Sequence, residues 1–168
     1  MTDRTTTFSL AVVEGIYLAD LVDQFTRVLA DSDATDPGIQ RLTPDVYPDD
    51  AKASADFSSM THDDLIEQRR ADAALVRAEL DPLLSTASEA LIDEEGSEQR
   101  ELRIPVDDLE AWLRTLAALR LVIATRLDIT TEDVAPAGDD LRLNVYDWLG
   151  YRLEQLVLLA DAEDDEPA

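Results

Sequence analysis

Few side chains in this sequence could do chemistry. Among 168 residues there is one histidine, His62, and no cysteine. Disulfides, iron–sulfur clusters and thiolate nucleophiles are excluded. A lone histidine in a first helical turn reads as solvated, because no second one exists to complete a ligand set. A di-iron bundle needs Glu-x-x-His pairs on two helices, which one histidine cannot supply. No G-x-G-x-x-G, P-loop or G-x-S-x-G run is present. The runs Asp93-Glu94-Glu95 and Glu163-Asp164-Asp165 lack the alternating ligands and central glycine of an EF-hand and read as solvated acid. The sequence therefore predicts no catalytic residue, no cofactor and no metal site.

What remains is charge set into apolar stripes. Arg120 falls on the flank of a helical stripe beside Leu113 and Leu116. It either snorkels to water along its apolar stem or is held by an internal carboxylate. Glu14 is open to two readings as well. It is a first-turn glutamate favoured by the helix dipole, or it is the internal partner of Arg120. Arg152 falls inside the apolar stripe of the last helix and is a second candidate for an internal ion pair. A Glu14–Arg120 pair would place both charges in one interhelical pocket, as a small-ligand binder or enzyme would require. Asp147, Tyr151 and Glu154 line the polar side of the last helix and form a candidate partner surface.

The elements that position these residues follow from periodicity. Pro105 to Leu127 reads as the central helix, with Leu109, Trp112, Leu113, Leu116, Leu119, Ile123 and Leu127 at helical spacing. Asp107, Asp108 and Glu110 suit its positive end, and Glu110 stands four residues before Arg114. A helix is expected over Ala11 to Ala30, another over His62 to Leu80, and the last over Asp139 to Ala160 with Leu141, Val145, Trp148, Leu149, Leu156 and Leu159 on one face. Gly150 would let a neighbour approach. Thr61 and Asp64 resemble a capping box, and Asp81-Pro82 should end or kink its helix. Residues 31–60 read as a long connection pinned by Leu42, Val46, Tyr47 and Phe57. Short helices are expected to open at Asp36-Pro37 and Tyr47-Pro48. Thr6 to Leu10 and Glu101 to Ile104 alternate like strands and could pair as a ribbon. Trp112 and Trp148 read as core packing between the two main helices.

The fold class expected is mainly α: four long helices in a bundle-like arrangement, a long crossover carrying short helices, and room for one short two-stranded β ribbon. One domain is expected over residues 1–160, with residues 161–168 a disordered acidic tail.

A net charge of −24 argues against direct contact with nucleic acid or anionic membrane. It favours cationic partners. The N-terminus lacks a basic segment followed by an unbroken apolar run, since Glu14 and Asp20 interrupt the one candidate. Neither a signal peptide nor a membrane span is read there, and a cytoplasmic location is expected.

Three blocks carry a family resemblance. RLTPDVYPDDAKASADFSSMTHDDL, WLRTLAALRLVIATRLDIT and VYDWLGYRLEQLV occur in that order. Together they resemble an actinobacterial domain-of-unknown-function family, number two thousand and seventeen. The most distinctive matching positions include Trp112, Arg120, Tyr146, Asp147, Trp148 and Tyr151. The resemblance implies a small, cytoplasmic, mostly helical protein, with members often encoded beside the Clp protease adaptor ClpS and some labelled transcriptional regulators. It carries no activity and hence no catalytic residues. The expected function is a non-enzymatic protein-interaction module, an adaptor or regulator linked to Clp-type proteolysis. The alternatives are a transcription-associated regulator acting through protein contacts, and the ligand pocket near Glu14 and Arg120.

Overall fold

The computed structural model describes residues 4–31, 33, 35–43, 49–85, 97–127 and 141–164. The chain opens with strand β1 (Thr5–Ala11), which runs without a loop into helix α1 (Val12–Asp31). Helix α2 (Pro37–Leu42), the long α3 (Ala51–Ser85) and strand β2 (Gln99–Pro105) follow. A 3₁₀ turn (Val106–Asp108) then leads into the central helix α4 (Leu109–Arg126), and α5 (Leu141–Asp164) comes last. The fold is mainly α with a small ribbon, as its periodicities predict.

The ribbon forms because its residues alternate. Thr6, Phe8 and Leu10 point inward and Thr5, Thr7 and Ser9 outward. β2 pairs with it antiparallel, placing Leu102 opposite Phe8 and Ile104 opposite Thr6. A two-stranded ribbon is marginal alone. Here its inner face lies on α4, with the Phe8 ring 5.8 Å from Trp112 in an edge-on arrangement.

α4 is covered on several sides. Trp112 and Leu116 are wholly buried, and Ala111, Ala118 and Val122 are buried off the main stripe. α2, α3 and α5 all pack against it. Burying one large apolar side chain of this kind contributes about 1.5–3 kcal/mol, so this helix anchors the core. α2 is set by Asp36, whose carboxylate accepts hydrogen bonds from the Gly38 N–H at 2.7 Å and the Ile39 N–H at 3.3 Å, with Pro37 at the first helical position. Leu42 is buried as expected.

α3 corrects the expected boundaries at both ends. It begins at Ala51, where the Asp50 carboxylate accepts from the Ala53 N–H at 3.0 Å. Ala51–Met60 is therefore helix, although it was expected to lie in the connection, and Phe57 stays exposed rather than acting as a peg. The Thr61–Asp64 capping box is overturned: Thr61 lies inside the helix and its hydroxyl donates to the Phe57 carbonyl at 2.9 Å. Pro82 does not end the helix, which continues to Ser85. Near a helix end a proline removes one N–H and disturbs few later bonds. Leu83, just beyond it, is buried against α1 at Gly15, where an added Cβ would run into the leucine side chain. Val46 and the Tyr47-Pro48 helix start lie outside the described residues.

α5 extends to Asp164, four residues past its expected end. Residues 161–164 are thus helical, and 165–168 lie outside the described residues. Leu149 and Leu156 are fully buried, whereas Leu141 is 78% exposed. Leu141 sits in the first turn of α5, at the edge of the bundle.

Candidate functional site

The site is built where β1 turns directly into α1. Ala11 is a poor helix cap. Glu14, three residues on, reaches back and accepts from the Ala11 N–H at 2.9 Å, the reciprocal half of a capping box. The same carboxylate accepts from Trp148 Nε1 at 2.7 Å and from Arg152 Nη2. Arg152 also donates to the Ser9 carbonyl at 3.1 Å and to Gln155 at 2.7 Å. Burial pushes the Glu14 carboxyl upward. The donors Arg152, Ala11 and Trp148 together outweigh that push and hold it below the ordinary glutamate range. The first-turn reading of Glu14 holds, and the residue is also an internal ion-pair partner, though not of Arg120.

The partner is Arg152, and the expected Glu14–Arg120 pair is corrected. Arg120 stacks its guanidinium 4.1 Å from the centre of the Tyr146 ring. Its Nε donates to the Tyr146 carbonyl at 3.4 Å, and it lies over Gly150, where a Cβ would come within 3.1 Å of it. Among the described residues no carboxylate pairs with Arg120. Tyr146 and Gly150 stand two residues from Trp148 and Arg152, about 200° around α5 at helical spacing. Arg120 therefore meets the opposite side of α5 from Glu14.

Between α1 and α5 lies an open groove of about 530 Å³, lined by Val13, Glu14, Tyr17, Leu141, Asn144, Val145 and Trp148. The Tyr17 and Trp148 rings sit 5.9 Å apart at 57°. The groove holds Glu14 but not Arg120, so the pocket expected to contain both charges is not formed. Glu14 lends no free acid or base, because both of its oxygens already accept hydrogen bonds.

The α5 wall of the groove continues onto an exposed strip. Asn144, Asp147, Tyr151, Glu154 and Leu158 follow one another at spacings of three and four and are all exposed. Three of these are the candidate partner surface. Tyr151 is steadied from below: Gln155 donates to its phenol oxygen at 2.9 Å, and the Arg152 guanidinium lies 5.3 Å from its ring centre.

The geometry can be set beside known proteins. The family described as "Domain of unknown function (DUF2017)" matches residues 1–160. The chain belongs to that family. It is also 29% identical over 127 residues to the Mycobacterium leprae (strain TN) protein named "Putative oxidative stress regulator AosR". The match covers 73% of this chain and 58% of that relative, so the chain spans little more than half of the relative's length. No solved structure matches.

Arg120, Tyr146 and Trp148, three of the positions that carry the resemblance to this family, are the stack on one side of α5 and the Glu14 partner on the other. Of the two tryptophans expected as core packing, Trp112 lies in the core and Trp148 is partly buried at its edge. Trp112 lies under Phe8 and donates to Glu79, while Trp148 faces Tyr17.

Two further polar clusters escape sequence reasoning. Asp72 is buried in α3 and receives a two-pronged contact from Arg114, at 2.8 and 3.0 Å, and a third bond from Gln68 at 3.0 Å. Arg114 also meets Glu110 at 2.9 Å, the pair that spacing predicts. Glu79 is pushed up, first by burial and then by its neighbour Asp108, against the Trp112 N–H. A signal for the first cluster existed: Asp72 stands beside Ala73 on the edge of the α3 stripe. Among the described residues no group of three or more His, Cys, Asp or Glu side chains could hold a metal. No described helix is long and apolar enough to cross a membrane.

Proposed function

We propose that this chain is a non-enzymatic regulator that acts by contacting other proteins. The outer strip of α5, Asp147, Tyr151 and Glu154, is part of its contact surface. One observation carries this reading: two carboxylates flank a supported, 54% exposed tyrosine on a chain of net charge −24. Exposed tyrosines are enriched where proteins bind, and the acids select a basic partner and speed its approach. The regulator-like name of the mycobacterial relative supports the class. A thiol switch within this chain has no cysteine to use.

The finer assignments differ in their partner. An adaptor for Clp-type proteolysis rests on the gene neighbourhood that the family resemblance implies. A transcription-associated role would act through protein contacts, since a duplex-binding surface needs a basic stripe. The test is affinity capture from host lysate at low and moderate salt with the wild type and the Asp147→Lys/Glu154→Lys variant. We expect partners lost both to added salt and to charge reversal. Clp components among them would select the adaptor role, and RNA polymerase the transcriptional one. Equal capture by the charge-reversed variant would refute the surface.

A further inference from the structure

We propose that the groove between α1 and α5 is an anchor pocket for a basic, amphipathic segment of a partner protein. The segment would lay one bulky apolar side chain in the groove against the packed Tyr17–Trp148 corner and set its Lys or Arg residues against the acids that border the groove. This rests on the outer strip of α5 being a partner surface and names what that surface takes.

The groove is built rather than incidental. Glu14 fixes the Trp148 ring through its Nε1 and fixes Arg152 behind it. Arg152 in turn is tied to the β1 backbone at Ser9. The aromatic corner is thus set before anything binds, which lowers the ordering cost of binding. Its rim leaves apolar surface in water, with Val13 half exposed, Tyr17 43% exposed and Leu141 78% exposed. A volume of about 530 Å³ accommodates a large side chain and some of its neighbours. The Glu14 carboxylate is already engaged, so the inserted group is apolar and not cationic.

Charge decides the occupant. Exposed acids stand on both sides: Asp20 one turn beyond Tyr17 on α1, and Asp147 beside Asn144 on α5. A second copy would bring another −24 against this face, and an acidic segment would be repelled in the same way. A segment carrying Lys and Arg around an apolar residue is attracted by the rim and held by the corner.

The chain has two tryptophans, hence two indole N–H signals in an ¹⁵N spectrum. Trp112 is buried in the core and Trp148 lines the groove, so the pair gives an internal control. The probe is a short synthetic amphipathic peptide with one phenylalanine flanked by lysine and arginine, added to the full chain. We expect the Trp148 signal to shift and the Trp112 signal to stay. Replacing the peptide's phenylalanine with serine, or its basic residues with glutamate, should weaken binding about tenfold or more, the scale of one apolar anchor. Val13→Asp and Leu141→Asp, one from each wall, should do the same. Both lie in exposed first helical turns, where aspartate is tolerated.

A Trp148 signal that does not move at saturating peptide would overturn the inference. So would equal affinity for the glutamate peptide, free indole shifting Trp148 as strongly as the peptide, or a dimer of the free chain that Val13→Asp dissolves. Lysate capture separates this inference from the one beneath it. If charge reversal at Asp147 and Glu154 abolishes capture while Val13→Asp leaves it intact, the groove is wrong and the strip stands. If only Val13→Asp abolishes it, the groove stands and the strip is wrong.

Discussion

The Glu14–Arg152 pair should be asymmetric, with loss of the glutamate costing more than loss of the arginine. Arg152 keeps only 8% of its side chain exposed, while Glu14 keeps 22%. Glu14→Gln preserves shape and leaves an acceptor for Ala11 or Trp148, but strands a guanidinium with little access to water. Stranding one charge of a buried pair costs about 3–5 kcal/mol. Arg152 retains the Ser9 carbonyl and Gln155, which lowers the expected cost to about 2–3 kcal/mol. Arg152→Met leaves a carboxylate that still accepts from Ala11 and Trp148 and reaches solvent, and should cost about 1–2 kcal/mol.

Urea unfolding followed by tryptophan emission gives each value as a shift in midpoint at constant slope. For a chain of this size each kcal/mol corresponds to about 2–4 °C in Tm. The double variant should cost less than the sum of the singles, because both charges leave together. The pH dependence has a definite sign. Glu14 has its folded pKa depressed. The stability it contributes is present above the unfolded glutamate value and disappears as pH falls through the folded one. Glu14→Gln should abolish that part of the acid transition. A coupling of zero in the double-variant cycle, or a greater cost for Arg152→Met than for Glu14→Gln, would refute this account.

Three further outcomes follow from the other polar clusters and from one close approach. Asp72→Asn should cost about 1–3 kcal/mol, discounted because Arg114 is 44% exposed; a cycle with Arg114→Met in the same urea assay should show coupling. Glu79 has a raised folded pKa beside Asp108, so its contribution is fully present below the unfolded value and is lost as pH rises through the folded one. Glu79→Gln keeps an acceptor for Trp112 and should be neutral or stabilising at neutral pH by about 0.5–1 kcal/mol, with the gain vanishing in acid. Gly15→Ala should destabilise by about 1–3 kcal/mol through collision with Leu83, despite alanine's better helix propensity; a stabilised variant by thermal unfolding would mean the helices can part there.

The parts of the fold that were legible in the sequence are those where one residue's pattern fixes one local geometry. Period-two alternation in Thr6–Leu10 and Glu101–Ile104 pointed to a ribbon, which the structure extends to Thr5–Ala11 and Gln99–Pro105, and Asp36-Pro37 fixed the start of α2. Arg152 inside an apolar stripe announced an internal charge. Its partner was not legible, because periodicity assigns a residue to a face but does not say which helix covers that face. Arg120 and Glu14 both suggested an internal pairing, and only the packing sends them to opposite sides of α5. Ala51–Met60 has no apolar rhythm of its own. It is helical because it extends a long helix, where adding residues is cheaper than nucleating afresh.

The few cations explain how so acidic a chain holds together and why its surface is so one-sided. There are 14 Lys and Arg against 38 Asp and Glu. Several of the arginines tie separate segments to one another. Arg152 joins α5 to α1, Arg114 joins α4 to α3, and Arg77 joins α3 to α1 through Asp23 at 3.1 Å. Arg4, ahead of β1, reaches Glu163 near the end of α5 at 2.7 Å. The more exposed pairs, Arg77–Asp23 and Arg4–Glu163, contribute little individually, but every one of these pairs sits where two elements meet and offsets local repulsion. Arginine suits the task because its planar fork can grip a carboxylate with two bonds, as Arg114 does at Asp72. The consequence lies outside the core. Among the described residues, the cations committed between helices leave the carboxylates on the exposed strip of α5 without an ion-pair partner, so internal cohesion and selection for a basic partner come from the same distribution of charge.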